Sequence, residues 1–141
     1  MTYLKDNLLG MQHLGLPVTD LARSLAFYEQ FGFATALRVD LPDEPEPVRV
    51  AMIEKGGLMI ELYQLAGAER QEVAGRSDGH IDHIALNVMD IDSALAELKA
   101  AGFEVLEPDA PVTLPFWSRG VRFFTVRGPD GEKVEFNQIL T

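Results

Sequence analysis

The opening of the chain shows two hydrophobic periods in succession. Apolar residues recur imperfectly at alternate positions from 11 to 18, which predicts a strand with one buried face. Leu21 and Leu25 then follow at helical spacing behind Asp20, a residue type that often accepts a hydrogen bond from the first turn of a helix. Gly32 is a typical helix stop, because glycine readily adopts the left-handed conformation. This segment is therefore predicted to be a strand followed by a helix.

Three further strands are predicted before the middle of the chain. Their apolar runs are 33–39, 48–54 and 58–65. Segment 55–57, Lys-Gly-Gly, is predicted to be a tight hairpin turn, and the Pro- and Glu-rich segment 41–47 to be an exposed loop. The first half of the chain therefore predicts a βαβββ module.

The chain then repeats this pattern. HLGLPVTDLARSLAFY, which begins at His13, aligns without a gap with HIALNVMDIDSALAEL, which begins at His83, 70 residues later. The last strands also correspond, since LMIELYQL around Glu61 is similar to EKVEFNQI around Glu135, 74 residues later. A series of matches of this kind indicates a duplicated module.

The second half is predicted to contain the same elements in the same order. A helix capped by Asp90 runs to about residue 101. The predicted strands are 81–88, 103–107, 121–127 and 132–139, with the turn GPDGEK before the last. The prediction is therefore one domain, residues 1–141, made of module 11–65 and module 81–139.

Two connections stand outside the strands and helices of this scheme. The segment AGAERQEVAGRSDG between the modules is polar and Gly-rich, which predicts a surface connection, and His80 just after it is predicted to be a solvated loop residue. The loop EPDAPVTLPFWSRG contains the only tryptophan and is a candidate lid. Its Phe116-Trp117 pair and Arg119, followed by Arg122, are candidates for contacting an anionic substrate, although the aromatic pair could equally pack within the loop.

Two histidines and two glutamates hold equivalent places in the two modules. His13 and His83 lie in the first strands, and Glu61 and Glu135 lie in the last strands. A pseudo-twofold arrangement can bring all four together, and imidazole with carboxylate suits a divalent ion such as Zn, Ni, Co, Mn or Fe. The alternatives are structural histidines and glutamates that face solvent on half-buried strands. The duplication favours the metal site.

Charge and cysteine content narrow the function classes. With 22 acidic and 12 basic residues the net charge is −10, which disfavours nucleic acid and anionic membranes as partners. The absence of cysteine excludes disulfides, thiolate nucleophiles and Cys-type zinc sites. No signal-peptide core or run of transmembrane length is present, so a cytoplasmic location is expected by default.

The repeat, the βαβββ pattern and the four candidate ligands resemble the vicinal oxygen chelate superfamily, over about residues 11 to 139. The resemblance implies an α+β fold in which two tandem βαβββ modules form a curved mixed-sheet half-barrel around a metal site. By position, His13, Glu61, His83 and Glu135 would be the ligands. It also implies one divalent metal per site, with Ni or Zn favoured over Co, Mn or Fe, a small-molecule substrate, and a homodimer. Pairing of the modules within one chain or across a dimer stays open.

Among the members of that superfamily, the His, Glu, His, Glu set is most similar to glyoxalase I, lactoylglutathione lyase. That resemblance implies isomerisation of a hemithioacetal through an enediolate, with Glu135 as the mobile carboxylate base and Glu61 as the equivalent candidate. One departure is that glyoxalase I usually presents an arginine shortly after the first histidine, whereas residues 14–18 contain no basic residue. The chain therefore departs from the glyoxalase I pattern at the position that binds a glutathione carboxylate.

Two alternatives follow from the same resemblance. One is a metal-dependent epimerase or another vicinal oxygen chelate enzyme, although methylmalonyl-CoA epimerase typically has Gln where this chain has Glu61. The other is a metal-free small-molecule binding protein of the bleomycin resistance type, against which a complete ligand set counts. An extradiol dioxygenase is disfavoured because its site resembles two His and one Glu with open positions.

Overall fold

A computed structural model describes residues 1–30, 32–76, 81–127 and 133–141. The chain divides into two compact units. We call His13–Asp82 the central unit, and Met1–Gln12 together with His83–Thr141 the terminal unit. Among the described residues, no helix has the length and apolar character needed to cross a membrane.

The central unit has the predicted order of one strand, one helix and three strands. Its elements are β1 (Leu8–Val18, of which the part from His13 belongs to this unit), α1 (Leu21–Glu29), β2 (Ala34–Leu41), β3 (Val48–Lys55) and β4 (Leu58–Gln64). The strands lie in the order β2-β3-β4-β1, antiparallel except for the parallel pair of β4 and β1. Both central glycines of the β3–β4 turn have positive φ, which explains the Lys-Gly-Gly sequence there.

Helix α1 covers one face of this sheet. Its N-terminus is capped as predicted, because the Asp20 carboxylate accepts a hydrogen bond from the Arg23 backbone N–H at 3.1 Å. Its apolar side packs on the alternate residues of β3 and β4 that face it. These core residues are Leu21, Leu25, Ala51, Ile53, Ile60 and Leu62. Because side chains alternate along a strand, Glu61 is left on the other face of β4.

The terminal unit repeats the architecture. Its elements are β5 (His83–Val88), α3 (Ile91–Ala100), β6 (Val112–Leu114), β7 (Val121–Arg127) and β8 (Lys133–Ile139), with strand order β5-β8-β7-β6. Asp90 caps α3 by accepting from the Ser93 N–H, also at 3.1 Å. Phe124 and Phe136 stack in the core beneath this helix with ring centroids 5.2 Å apart. Glu135, adjacent to Phe136 in β8, is therefore on the face away from α3.

One predicted strand of this unit is wrong. Residues 103–107 form no strand; only Val105 makes an isolated bridge, to Val126, and β6 lies instead at Val112–Leu114, inside the predicted lid loop. At the end of this segment the Leu106 N–H still donates to the Thr125 carbonyl at 2.9 Å, but the Thr125 N–H donates to the Glu107 carboxylate at 2.6 Å. A side-chain acceptor occupies the place that a neighbouring backbone carbonyl would take, so the ladder stops there.

The connection between the modules lies at the surface as predicted, but it contains a helix that the prediction lacked. It contains the helix α2 (Gly67–Ala74), none of whose residues is buried. The run AERQEVA consists mostly of good helix formers, but the glycines on either side of it, Gly67 and Gly75, made the segment resemble a loop. A Glu72–Arg76 ion pair at 2.7 Å stabilises the C-terminal end of the helix. The predictions for His80 and for most of the GPDGEK turn fall outside the described residues.

Candidate metal centre

In the central unit, a buried histidine lies beside a carboxylate. His13 is 1% exposed and the Glu61 side chain 14%, and His13 Nε2 lies 4.0 Å from Glu61 Oε1. Register explains the approach, since Gly15, two residues after the histidine, is paired with Glu61 across the parallel β1 and β4 strands. The alternative in which Glu61 faces solvent is therefore wrong.

The terminal unit contains an equivalent pair. His83 Nε2 lies 3.3 Å from Glu135 Oε2, with side chains 10% and 12% exposed. Ala85, again two residues after the histidine, pairs with the glutamate across the parallel strands β5 and β8. The duplication seen in the sequence is therefore also a duplication of register, and each module presents one imidazole and one carboxylate together.

The chemistry of these pairs fits a divalent cation. A carboxylate with so little access to water is costly to bury unless it is paired or coordinates a metal. Imidazole nitrogen and carboxylate oxygen, without sulfur, are the donors that Zn and the other borderline first-row ions accept. Each unit can supply two such donors from neighbouring strands.

Glu135 is held by a second side chain of the same unit. Asn137, two residues further along β8 and 3% exposed, donates from Nδ2 to Glu135 Oε1 at 2.8 Å. Its Oδ1 in turn accepts a short hydrogen bond from Gln12 Nε2. The terminal unit therefore contains a continuous series of polar contacts from Gln12 through Asn137 and Glu135 to His83.

Different residues stand at the equivalent positions of the central unit. Tyr63, two residues after Glu61, makes a side-chain hydrogen bond with Asp82, the residue before His83. Burial raises the pKa of Tyr63 far above its ordinary value, and the negative charges of Asp82 and Glu61 raise it further. The phenol is therefore protonated, and since an ionised carboxylate only accepts, its proton is donated to Asp82.

Sequence analysis missed these four residues, although a signal was present. Asn137 and Tyr63 each follow a candidate ligand glutamate by two positions, and Gln12 and Asp82 each precede a candidate ligand histidine by one. All four are polar. Their residue types differ between the modules, so the comparison that revealed the candidate ligands did not reveal them.

The proposed substrate-contacting residues lie in several environments of the terminal unit. Phe116 is 3% exposed, and Trp117 has a positive φ of 64°, beside an open pocket of about 580 Å³ that Arg119 also lines. Arg119 Nη1 donates to the Thr141 carbonyl at 3.1 Å.

Arg122 occupies a different face from the candidate ligands of its unit. Its guanidinium binds both carboxylate oxygens of Asp92, at 2.8 and 3.0 Å, in the first turn of α3. Thr125, which is paired with Glu135, is an odd number of positions away from Arg122 along β7. Alternation of side chains therefore puts Arg122 on the helix-covered face, away from Glu135.

Comparisons with known proteins extend over the whole chain. An uncharacterized protein of Bacillus subtilis (strain 168), YwbC, is 29% identical over 130 residues, covering 91% of this chain and 96% of that protein. The crystal structure of methylmalonyl-CoA epimerase from Mycobacterium tuberculosis matches with a TM-score of 0.75 and 19% identity, covering 100% of this chain and 93% of that one. A methylmalonyl-CoA epimerase in complex with methylmalonyl-CoA and NH4+ matches with a TM-score of 0.73 and 25% identity, covering 93% and 94%.

These structural matches confirm the predicted fold class. They do not favour glyoxalase I specifically, since the solved structures named above are epimerases. The family model of the Glyoxalase/Bleomycin resistance protein/Dioxygenase superfamily matches residues 10–136. With nearly the full length matched, and with a His–Glu pair at the same register in each module, this chain belongs to that superfamily.

Proposed function

We propose that this protein is a metal-dependent enzyme that moves a proton on a carbon next to a carbonyl group, and that it acts as an epimerase on a small acyl thioester. The observation that carries the proposal is the buried His–Glu pair at one register position in both modules. Similarity to methylmalonyl-CoA epimerases along nearly the whole chain supports epimerisation over the glyoxalase I reaction that the ligand set first suggested.

The proposed ligands are His13, Glu61, His83 and Glu135, which would hold one divalent cation. The support is the duplication, because two related modules that each offer one imidazole and one carboxylate can share a cation across a pseudo-twofold axis. Ni or Zn suits this donor set, and Co, Mn and Fe are also compatible with it. When bound, the cation would act as a Lewis acid that stabilises negative charge developing on a substrate oxygen.

The carboxylates would do the proton transfer. Epimerisation removes a proton from one face of a carbon and returns one to the other, so it is served by two proton carriers at symmetric positions. Glu61 and Glu135 are the two carboxylates that the modules offer at equivalent places. A nearby positive charge makes a carboxylate a weaker base, so the one that takes the proton has to turn away from the cation first.

A second function is isomerisation of a hemithioacetal, as in glyoxalase I. The observation that favours it is Glu61 itself, because the epimerases that the chain resembles typically have Gln at this ligand position. Against it stands the absence of a basic residue at positions 14–18, where glyoxalase I usually has an arginine for glutathione. Both reactions begin with removal of a proton next to a carbonyl, so one assay format compares them.

The test is solvent deuterium exchange with metal-reconstituted protein. Metal content of the purified protein is measured first, beside a His13→Ala, His83→Ala double variant. The protein is then incubated in D2O with methylmalonyl-CoA or with the hemithioacetal of methylglyoxal and glutathione. We expect metal-dependent deuterium at the acyl α-carbon of the thioester, and its loss in the double variant.

Substitution of one proton carrier refines the test. Glu135→Gln should lower the rate of epimerisation about 100-fold or more, the usual contribution of a general base, while Glu61 can still exchange the proton on its own side. Glu104→Gln is the matched control, since Glu104 is an exposed glutamate of the same unit. Turnover of the hemithioacetal alone would replace epimerisation by the second function, and a protein that binds no metal on reconstitution would remove both.

A further inference from the structure

The proposed function assigns no role to Asn137 or Gln12. Asn137 nevertheless bonds to the proposed ligand Glu135, and Gln12 bonds to Asn137. Asn137 is 3% exposed in a strand and makes hydrogen bonds with two side chains, Glu135 and Gln12. A buried amide at this position of a sheet is expensive unless its groups are satisfied. Both ends of this amide are used, one of them by a proposed metal ligand.

The direction of these hydrogen bonds is fixed by chemistry. An ionised glutamate has no hydrogen to donate, so Asn137 has to present its Nδ2 to Glu135. Its Oδ1 then points the other way and requires a donor, which Gln12 provides from Nε2. Gln12 therefore satisfies the end of the Asn137 amide that faces away from Glu135 and stabilises this orientation of the amide.

We propose that Asn137 is a positioning residue for the metal ligand Glu135, and that Gln12 stabilises the orientation of the Asn137 amide. This inference rests on the proposed function, since Glu135 is a ligand only if the cation site exists. The hydrogen bond engages Oε1 of Glu135 and leaves Oε2 on the side of the imidazole, 3.3 Å from His83 Nε2. Partners of this kind orient ligands, and their removal typically weakens metal binding about 10- to 100-fold.

The experiment is a titration of the metal-free protein with Co²⁺. Calorimetry measures the affinity, and the visible absorption of the bound cobalt reports its coordination. Asn137→Leu removes the donor with little change of size. Gln12→Glu is the sharper variant, because it replaces the donor at Gln12 by an acceptor and so turns the Asn137 amide around, placing Oδ1 against Glu135. Gln138→Glu is the control, since Gln138 Oε1 accepts from the Ile91 N–H at the start of α3 and a carboxylate keeps that bond.

The sign of the Gln12→Glu effect separates two explanations. An added negative charge acting alone would strengthen cobalt binding, whereas a reversed amide would weaken it. We expect both single variants to bind Co²⁺ about 10- to 100-fold more weakly than wild type, with an altered cobalt spectrum, and the control to match wild type. When Asn137→Leu is already present, adding Gln12→Glu should cause no further loss of Co²⁺ affinity, because no amide remains at position 137 to be reversed.

Each outcome has one meaning. If wild type binds no Co²⁺, the cation site proposed above is absent and this inference falls with it. If wild type binds Co²⁺ while Gln12→Glu binds it equally well or more tightly, the cation site stands and the positioning role is overturned. The positioning role is also overturned if Asn137→Leu lowers thermal stability without changing the Co²⁺ affinity or the cobalt spectrum. Asn137 would then stabilise the fold and have no effect on the cation site.

Discussion

A glutamine at the end of the last strand of each module ties that strand to the helix of the same module. Gln64 Oε1 accepts the backbone N–H of Leu21, the first residue of α1, at 2.8 Å, and Gln138 Oε1 accepts that of Ile91, the first residue of α3, at 2.9 Å. The first N–H groups of a helix have no partner within the helix, so these side chains supply one. We expect Gln64→Leu to destabilise the protein measurably, since leucine fills the space without accepting.

The size of the loss follows from burial. Gln64 is 7% exposed and Leu21 1%, so water has little access to the N–H left behind. An unsatisfied buried donor costs about 1 to 3 kcal/mol, and we expect Gln64→Leu to lie in that range. Gln138 is only half-buried, so water can partly replace it and Gln138→Leu should cost less, about 0.5 to 1.5 kcal/mol.

Urea unfolding followed by circular dichroism measures both losses in metal-free protein. Gln71→Leu, an exposed glutamine in α2, is the control for exchanging glutamine for leucine and should stay within about 0.5 kcal/mol of wild type. The reasoning fails if Gln64→Leu falls within the range of the control, or if Gln138→Leu is the more damaging of the pair.

Three further predictions concern pH, the core and the substrate. Burial raises the pKa of Glu107, so its folded form prefers the neutral acid and stability falls as pH rises through the raised pKa. Glu107→Gln should therefore raise the melting temperature at pH 7 but leave it unchanged at a pH below the ordinary pKa of glutamate. An equal gain at both pH values would contradict this explanation. Leu62→Ala, at a site with 0% exposure, should cost about 2 to 5 kcal/mol in urea unfolding, and a loss below 1 kcal/mol would show that the core there can collapse. Arg122→Gln should leave the substrate KM unchanged because Arg122 binds Asp92 on the helix-covered face; a raised KM would restore it as a substrate contact.

Local signals made much of the fold predictable. The caps at Asp20 and Asp90 depend only on residues within the next turn of helix, so their sequence pattern was sufficient. The glutamates were predictable for a different reason: duplication showed that a residue type was kept at one position, which a single module could not show. The register that sets each beside its histidine is then a consequence of pairing the first and last strands of a module in parallel.

The failures have a common physical cause, which is that they depend on partners distant in sequence. The loss of the strand at 103–107 was decided by Glu107 taking the N–H of Thr125, 18 residues away. Gln12 and Asn137 are 125 residues apart, and no local pattern links them. Similarly, Asp82 appeared to belong to a connection, yet its side chain bonds to Tyr63 and its N–H to the Gly15 carbonyl at 2.7 Å.

Duplication gave the two modules the same candidate ligands, but the residues that contact those ligands differ between the modules. In the terminal unit the residue two positions after the glutamate donates to the candidate ligand itself, because Asn137 Nδ2 bonds to Glu135 Oε1. In the central unit the hydroxyl group of Tyr63 donates its one proton to Asp82, so this hydroxyl does not donate to Glu61. Two carboxylates at symmetric backbone positions therefore have unequal environments. In the proposed epimerisation the two proton carriers would therefore have different neighbours, set by the residue two positions after each glutamate.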